Sequence, residues 1–111
     1  MCIPARINSD QELGRFLNIH DRQPVLIQYG SSWCLKCVEF LPTFYKLTKK
    51  YPKLTYAVAQ VDNMQESVKH IRFSPTFELF RAGKRVDQVV GKDAQKLEDH
   101  LWLHSDDWTI T

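Results

Sequence analysis

The chain has few cysteines, little net charge and no long apolar run, and each shortage excludes a class of protein. Three cysteines are too few, and odd in number, for a secreted scaffold held together by disulfides. The 15 Lys and Arg residues nearly balance the 13 Asp and Glu residues, and a net charge of +2 does not favour a nucleic-acid or membrane-surface partner. The apolar runs are only a few residues long, so we expect no transmembrane span.

The length and the first residues bound the number of domains and the location. A chain of 111 residues suits one domain, so we expect residues 1–111 to form a single domain with a loose tail at 105–111. Residues 1–6 lack the basic region and apolar stretch of a secretory signal, and they are too short and too poor in serine for a transit peptide. We therefore expect a cytoplasmic protein, or one from an organelle such as a plastid if a transit peptide was removed.

Hydrophobic patterning predicts helices and strands that alternate and then end in a hairpin. Ser9 and Glu12 form a capping box that opens the first helix, and Asp93 caps a last helix that we expect to end near His104. The predicted strands span residues 25–29, 54–61, 76–80 and 85–90, and the predicted helices between them span 34–50 and 64–71. This order is typical of an α/β protein with parallel crossovers and a final antiparallel hairpin.

Two cysteines, Cys34 and Cys37, follow a predicted buried strand and open the helix after it. A cysteine at a helix start faces free backbone N–H groups and the positive end of the helix dipole, and both favour the thiolate, which is the nucleophile. Lys36 adds a positive charge nearby. Cys37 lies one turn further on and can attack a mixed disulfide formed by Cys34. We predict that Cys34 is the exposed nucleophile, that Cys37 is the buried resolving thiol, and that Trp33 covers one side of the pair.

Several segments beyond these cysteines together resemble the thioredoxin family. The match covers nearly the whole chain, and in it a strand leads into Trp33-Cys34-x-x-Cys37. A proline five residues after the second cysteine, a Ser-Pro-Thr segment and two glycines also match; they are Pro42, residues 74–76, Gly83 and Gly91. Residues 72–77 and 100–105 resemble an atypical subgroup of plant thioredoxin-like proteins, here with a Trp-Cys-Leu-Lys-Cys active site.

This resemblance implies a fold, an activity and partners. The implied fold is the thioredoxin fold, an α/β fold with a central mixed sheet of four or five strands and helices on both faces. The implied activity is protein thiol–disulfide oxidoreduction without an organic cofactor, in which the Cys34/Cys37 dithiol reduces disulfides of target proteins. The implied electron donor is thioredoxin reductase or glutathione, and we expect a monomer with no nucleic-acid or membrane partner.

The resemblance also implies which residues meet the substrate. A cis Ser74–Pro75 bond is expected beside the cysteine pair, where an extended substrate segment would pair with the backbone as an added strand. The supporting residues implied in this way are Trp33, Leu35, Lys36, Ser74, Pro75 and Gly91.

Two features depart from the family pattern. Members usually carry Gly-Pro between the cysteines, and this chain has Leu35 and Lys36, which loosens the turn and is expected to shift the redox potential. Members also bury an aspartate six residues before the first cysteine, where it moves protons for the second cysteine, and this chain has Gln28, which does not titrate. The lysine that partners that aspartate aligns with Val58, so both members of the buried pair are absent together.

Other functions fit the same residues. One alternative is glutathione-linked, glutaredoxin-like turnover, and another is an iron–sulfur cluster bridged between two subunits by the proline-free cysteine pair. A third is a redox sensor or scaffold that docks partners without turnover. Zinc is a fourth, with His100 and His104 completing a site of two cysteines and two histidines, although their long separation from Cys37 does not fit a zinc finger. Cys2 is expected to be inert or to form an intermolecular disulfide.

Overall fold

The structure is a computed structural model that describes residues 4–31, 33–72 and 74–110, with the backbone alone for 105–110. Within these ranges, five strands form one sheet and three α-helices pack on it. The strands are β1 (Ala5–Ile7), β2 (Val25–Gly30), β3 (Thr55–Gln60), β4 (Thr76–Arg81) and β5 (Lys84–Val90). The helices are α1 (Asp10–Ile19), α2 (Leu35–Lys50) and α3 (Ala94–Ile110), and a 3-10 turn spans Val61–Asn63. Cys2 lies outside the described residues.

The sheet runs in the order β1-β3-β2-β4-β5 and is mixed. Strand β3 pairs in parallel with both β1 and β2, while β4 pairs antiparallel with both β2 and β5. All six residues of β2 are buried, because this strand lies in the middle of the sheet and is covered on both faces. The predicted α/β architecture with a central mixed sheet is confirmed, and the sheet has five strands.

Two hydrophobic clusters cover the two faces of the sheet. Because neighbouring residues on a strand point to opposite faces, Leu26 joins one cluster and Ile27 joins the other. The first cluster packs α2 and α3 on the sheet, and its large members include Phe40, Phe44, Phe77, Leu97 and Leu101. The second cluster packs α1 on the other face, and its members include Ile7, Leu13, Tyr29 and Phe80. None of the described helices is long and apolar enough to cross a membrane.

The first and last helices begin at the predicted caps. The Ser9 hydroxyl accepts a hydrogen bond from the Glu12 N–H at 3.1 Å, and Oδ1 of Asp93 accepts one from the Lys96 N–H at 3.0 Å. Each bond satisfies a donor that the helix itself leaves unpaired. The middle helix, α2, continues through Pro42 to its end at the predicted position.

The last helix is longer than the sequence pattern predicts. It does not end near His104 but continues to Ile110, so the loose tail predicted for 105–111 is wrong as far as residue 110. No glycine or proline occurs between residues 94 and 110, so the sequence contains no strong signal to stop the helix. Thr111 lies outside the described residues.

Residues 64–71 do not form the predicted short helix. A single turn closes there, with the Ile71 N–H bonded to the Val68 carbonyl at 3.0 Å. The carboxylate of Asp10, at the start of α1, accepts hydrogen bonds from the N–H groups of Gln65, Glu66 and Ser67, each at 3.1 Å. A side chain from another element therefore organises this segment, and a segment this short gains too little from helix formation alone.

Asp10→Asn is expected to make the melting temperature depend less on pH in acidic solution. Hydrogen bonds from the backbone N–H groups of Gln65 and Ser67 lower the pKa of Asp10 from 3.8 to about 2. Because the folded-state pKa is depressed, the carboxylate stabilises the fold fully above its unfolded pKa, and this stabilisation is lost as the pH falls toward about 2. The melting temperature of the variant should therefore fall less steeply than that of the parent across this pH window.

Thermal unfolding followed by circular dichroism at a series of acidic pH values measures this difference in slope. The matched control is Asp21→Asn, at an exposed loop position, which should keep the slope of the parent. An Asp10→Asn protein with the parent's slope would show that the three hydrogen bonds do not stabilise the fold.

Glu78, on β4, is a buried carboxylate with only 1% of its surface exposed. Arg85 Nη1 and Gln88 Nε2 donate to its Oε2, each at 2.9 Å, and Nε2 of His70 lies 2.5 Å from the same oxygen. These contacts compensate the carboxylate for its lost hydration. Burial and the neighbouring Glu78 charge raise the pKa of Tyr29, which keeps that phenol protonated. Glu78 thereby ties β4 and β5 to the segment between β3 and β4.

Candidate active site

Cys34 and Cys37 lie where the central strand β2 leads into α2. Cys34 is the N-cap of α2, and the two cysteines form a disulfide with a Cα–Cα distance of 5.3 Å. The Cys37 N–H donates to the Sγ atom of Cys34 at 3.0 Å, so a free donor at the start of the helix points at this sulfur. A negative charge on Cys34 is therefore stabilised by this hydrogen bond and by the helix dipole.

The surroundings of the two cysteines differ. Cys34 is half-buried, whereas Cys37 is only 6% exposed. Trp33 and Leu35 flank Cys34 in the chain and are 86% and 77% exposed, and Lys36 is exposed as well. Cys34 is therefore the more accessible of the two sulfurs, and it lies beside exposed apolar side chains and a positive charge.

The loop before β4 supplies the second part of the site. The Ser74–Pro75 peptide bond is cis, as the family resemblance implies. The Gly91 N–H, directly after β5, donates to the Pro75 carbonyl at 2.8 Å, so the structure brings these two predicted site residues together. Gly91 has a φ of 91°, a left-handed conformation that favours glycine. The contact between Pro75 and the cysteine pair stays a prediction.

Gln28 lies on β2 and faces the start of α2. It is 1% exposed, and its Nε2 donates to the Cys37 carbonyl at 3.5 Å. Its Oε1 is buried and has no hydrogen-bond partner among the described residues. Gln28 pairs with Val58 across the sheet, so an amide and an apolar side chain stand where many family members carry an acid and a base. An amide here does not take the Cys37 proton.

Gly30, the last residue of β2, makes room for the second sulfur. A Cβ atom at this position would lie 2.5 Å from Sγ and 3.2 Å from Cβ of Cys37, which is closer than packed atoms approach. A glycine therefore lets the second cysteine pack against the end of the strand. The sequence pattern predicts a strand over 25–29 and no role for Gly30 in the site; that role becomes visible once Cys37 is placed.

Gly30→Ala is expected to destabilise the oxidised protein by about 1–3 kcal/mol, the usual range for overpacking a core. The added methyl group meets Cys37, which has to move away from it. Guanidinium unfolding of the oxidised protein measures the change. The matched control is Gly14→Ala in α1, where a Cβ meets nothing within 4 Å and alanine should stabilise the helix by roughly 0.5–1 kcal/mol. An effect of Gly30→Ala that persists in full when Cys37→Ala is also present would contradict this reason.

His100 and His104 lie one turn apart on α3 and bond to one carboxylate. Nδ1 of His100 and Nε2 of His104 lie 2.6 Å and 3.0 Å from Oδ2 of Asp87, on β5. Burial alone would raise the pKa of Asp87, but hydrogen bonds from His100 and from the Gln88 N–H lower it overall. In the part of the chain that the structure describes, no three His, Cys, Asp or Glu side chains are grouped to hold a metal ion.

A cysteine pair that opens a helix after the central strand of a mixed sheet defines a class of proteins that exchange disulfides. A comparison with models of protein families matches the thioredoxin family over residues 7–102. The chain therefore belongs to the thioredoxin family, and the predicted fold and family are confirmed. Thioredoxins are thiol–disulfide oxidoreductases that act on disulfide-containing proteins and are reduced by reductases.

The relatives of this chain include two atypical plant proteins. The chain is 43% identical over 95 residues to Thioredoxin-like 3-3 of Arabidopsis thaliana, across 81% of this chain and 75% of that protein. It is 38% identical over 99 residues to Thioredoxin-like 3-3 of Oryza sativa subsp. japonica, across 87% and 77%. The solved structure of Fasciola hepatica thioredoxin has a TM-score of 0.83 at 23% identity, across 91% of this chain and 99% of that one, which supports the fold alone. The resemblance to atypical plant thioredoxin-like proteins is confirmed.

Proposed function

We propose that this protein reduces disulfides of protein substrates through the Cys34/Cys37 dithiol. The observation that supports this most directly is the contrast between the two cysteines. Cys34 is half-buried and its Sγ accepts a hydrogen bond from the Cys37 N–H, whereas Cys37 is buried one turn further along the helix. In the proposed reaction, the Cys34 thiolate attacks the target disulfide and one target sulfur leaves. Cys37 then attacks Cys34 in the mixed disulfide, and the target leaves as a dithiol.

The proposed substrate surface lies around Cys34. Trp33 and Leu35 expose 86% and 77% of their surface and offer apolar contacts to a target protein. The backbone beside cis Pro75 is proposed to pair with an extended substrate segment as an added strand. The Pro75 carbonyl already accepts the Gly91 N–H at 2.8 Å, which leaves the Ser74 side of this loop for the substrate.

The proposed cycle needs a source of two electrons but no organic cofactor. The oxidised pair, the form seen in the structure, returns to the dithiol when thioredoxin reductase or glutathione donates electrons to it. A reducing compartment such as the cytoplasm suits this cycle, because the dithiol form is the one that attacks targets.

The reduction of insulin by dithiothreitol tests the proposal, because a dithiol reductase accelerates it and a binding scaffold does not. We expect the purified protein to accelerate insulin precipitation, Cys34→Ser to be inactive, and Cys2→Ser to match the parent. A parent protein no faster than Cys34→Ser would overturn the proposal in favour of a scaffold. A visible absorption band after anaerobic purification would instead favour an iron–sulfur cluster.

A further inference from the structure

A half-open cavity of about 230 Å³ lies beside Cys37, between α2 and the parallel side of the sheet. Gln28 and Cys37 line its inner end, where both side chains are buried, and Arg6 and Gln60 line its more exposed rim. Val58 forms part of the wall between them. A water molecule has a liquid volume of about 30 Å³, so the cavity has room for several waters.

The strand register explains why these side chains share one cavity. Gln28 of β2 pairs with Val58 of β3, and Val58 pairs with Arg6 of β1, so the three side chains form a row across one face of the sheet. Gly30 and Gln60 pair two positions further along, on the same face. The row runs from buried Gln28 to exposed Arg6, and it connects the surroundings of the second cysteine with solvent.

The described residues offer no side chain in the cavity wall that is suited to take the Cys37 proton. None of the described side chains that line it is a carboxylate or a histidine, and its titratable side chains besides Cys37 are Arg6 and Tyr45. Gln28 has a buried Oε1 without a partner among the described residues and a long Nε2 bond, 3.5 Å, to the Cys37 carbonyl. A buried carbonyl oxygen usually bonds to water where there is room for it. A base for Cys37 therefore has to enter the cavity from solvent.

We propose that this cavity is the exit for the Cys37 proton and that it admits small diffusible bases, water and imidazole among them. This rests on the proposed function, in which Cys37 resolves the mixed disulfide. Cys37 gives its S–H proton to a base in the cavity, and the resulting thiolate attacks Sγ of Cys34. The Cys34–Cys37 bond forms as the bond between Cys34 and the target sulfur breaks. The target sulfur leaves with the electron pair and takes a proton from solvent.

The reaction with an aromatic disulfide, dithiobis-nitrobenzoate, separates the two steps. Every protein in this assay carries Cys2→Ser, because Cys2 is a third thiol that could also react. With less than one equivalent of reagent, the first release of coloured thiolate then reports attack by Cys34, and the second reports attack by Cys37. At fixed pH and ionic strength, imidazole is expected to raise the rate of the second release about tenfold, since a base contributes at least this much when it is well placed. The first release should not change, because the start of α2 already favours the Cys34 thiolate.

Variants at one wall position test whether the base enters through the cavity. Val58→Phe puts a larger side chain into it and is expected to slow the second release about tenfold and to remove most of the imidazole effect. Val86→Phe, at an exposed position of β5, is the matched control and should behave as the parent. Val58→Ala widens the cavity and should keep the imidazole effect. If position 58 were merely structural, the alanine and phenylalanine variants would not differ in their response to imidazole.

Each outcome supports or overturns the proposal that the Cys37 proton leaves through this cavity. A second release that does not respond to imidazole in the parent overturns the proposal, and so does a folded Val58→Phe protein with the parent's response. If Val58→Phe does not fold, the parent and Val58→Ala still decide, since both must respond. The absence of any second release would instead overturn the proposed function, because Cys37 would then not resolve the mixed disulfide.

Discussion

Cys37→Ser is expected to hold the protein covalently on a disulfide substrate, and Cys34→Ser is expected to hold nothing. The N–H of residue 37 that bonds to the Cys34 sulfur is a backbone group, so it survives the substitution and still favours the Cys34 thiolate. Attack by Cys34 therefore proceeds, but no second thiol follows it. The mixed disulfide should accumulate in near-stoichiometric amounts, and turnover should fall to background.

Insulin is a suitable defined substrate for this trap. After mixing and acid quenching, non-reducing electrophoresis should show an adduct with Cys37→Ser that dithiothreitol removes. All variants should also carry Cys2→Ser, because the third thiol of the chain is otherwise a second point of attachment. An equal amount of adduct from Cys34→Ser would mean that the two thiols have the opposite roles.

Gln28→Asp is expected to accelerate the second step by about 10- to 100-fold, a part of what a positioned base contributes. Gln28 lies against the Cys37 backbone, with Nε2 at 3.5 Å from its carbonyl, but the amide is neutral and does not take a proton. An ionised aspartate in its place can take the proton of the resolving thiol. Because burial raises the pKa of a carboxylate, the rate should rise with pH through a new pKa above the usual range for aspartate. The first step, attack by Cys34, should not change.

The two releases from dithiobis-nitrobenzoate, followed across pH, measure this effect. Gln28→Asn is the matched control, since it has the shape of the aspartate without a titrating group and should not accelerate the reaction. Some loss of stability is expected in Gln28→Asp, because position 28 is 1% exposed and burying an acid in place of a neutral amide costs free energy. A folded Gln28→Asp protein with an unchanged rate and pH profile would show that the missing base does not limit this protein.

Most of the fold can be predicted from local patterns. Ser9 and Asp93 cap helices where the sequence predicts caps, and the apolar run at 25–29 becomes the central strand. The elements that are not predicted depend on distant contacts. Strand β1 has three residues, too few for an alternating pattern, and forms because β3 is there to pair with it. The segment 64–71 is organised in part by Asp10, far away in sequence, which accepts hydrogen bonds from the N–H groups of residues 65–67.

In the candidate site, too, some features can be predicted from the local sequence and others depend on contacts between distant residues. The cysteine motif and the Ser-Pro segment are visible in the linear sequence, and their neighbours in the chain explain part of their chemistry. The row of Gln28, Val58 and Arg6 requires the register of three strands, and a shift of one residue would turn each side chain to the other face. The space that Gly30 leaves for the Cys37 sulfur likewise depends on how α2 packs on the sheet.

The loop that carries Pro75 is fastened at two points by carboxylates from elsewhere in the fold. Asp10 holds its beginning through three backbone N–H groups, and Glu78 contacts His70 nearer its end. A loop ordered in this way has already lost the conformational entropy that a mobile loop loses when it binds a partner. In the proposed binding mode, the substrate would meet a preorganised edge, and its own flexibility would be the main entropic cost of association. Discrimination among disulfides would then depend on how readily each target segment extends to meet that edge.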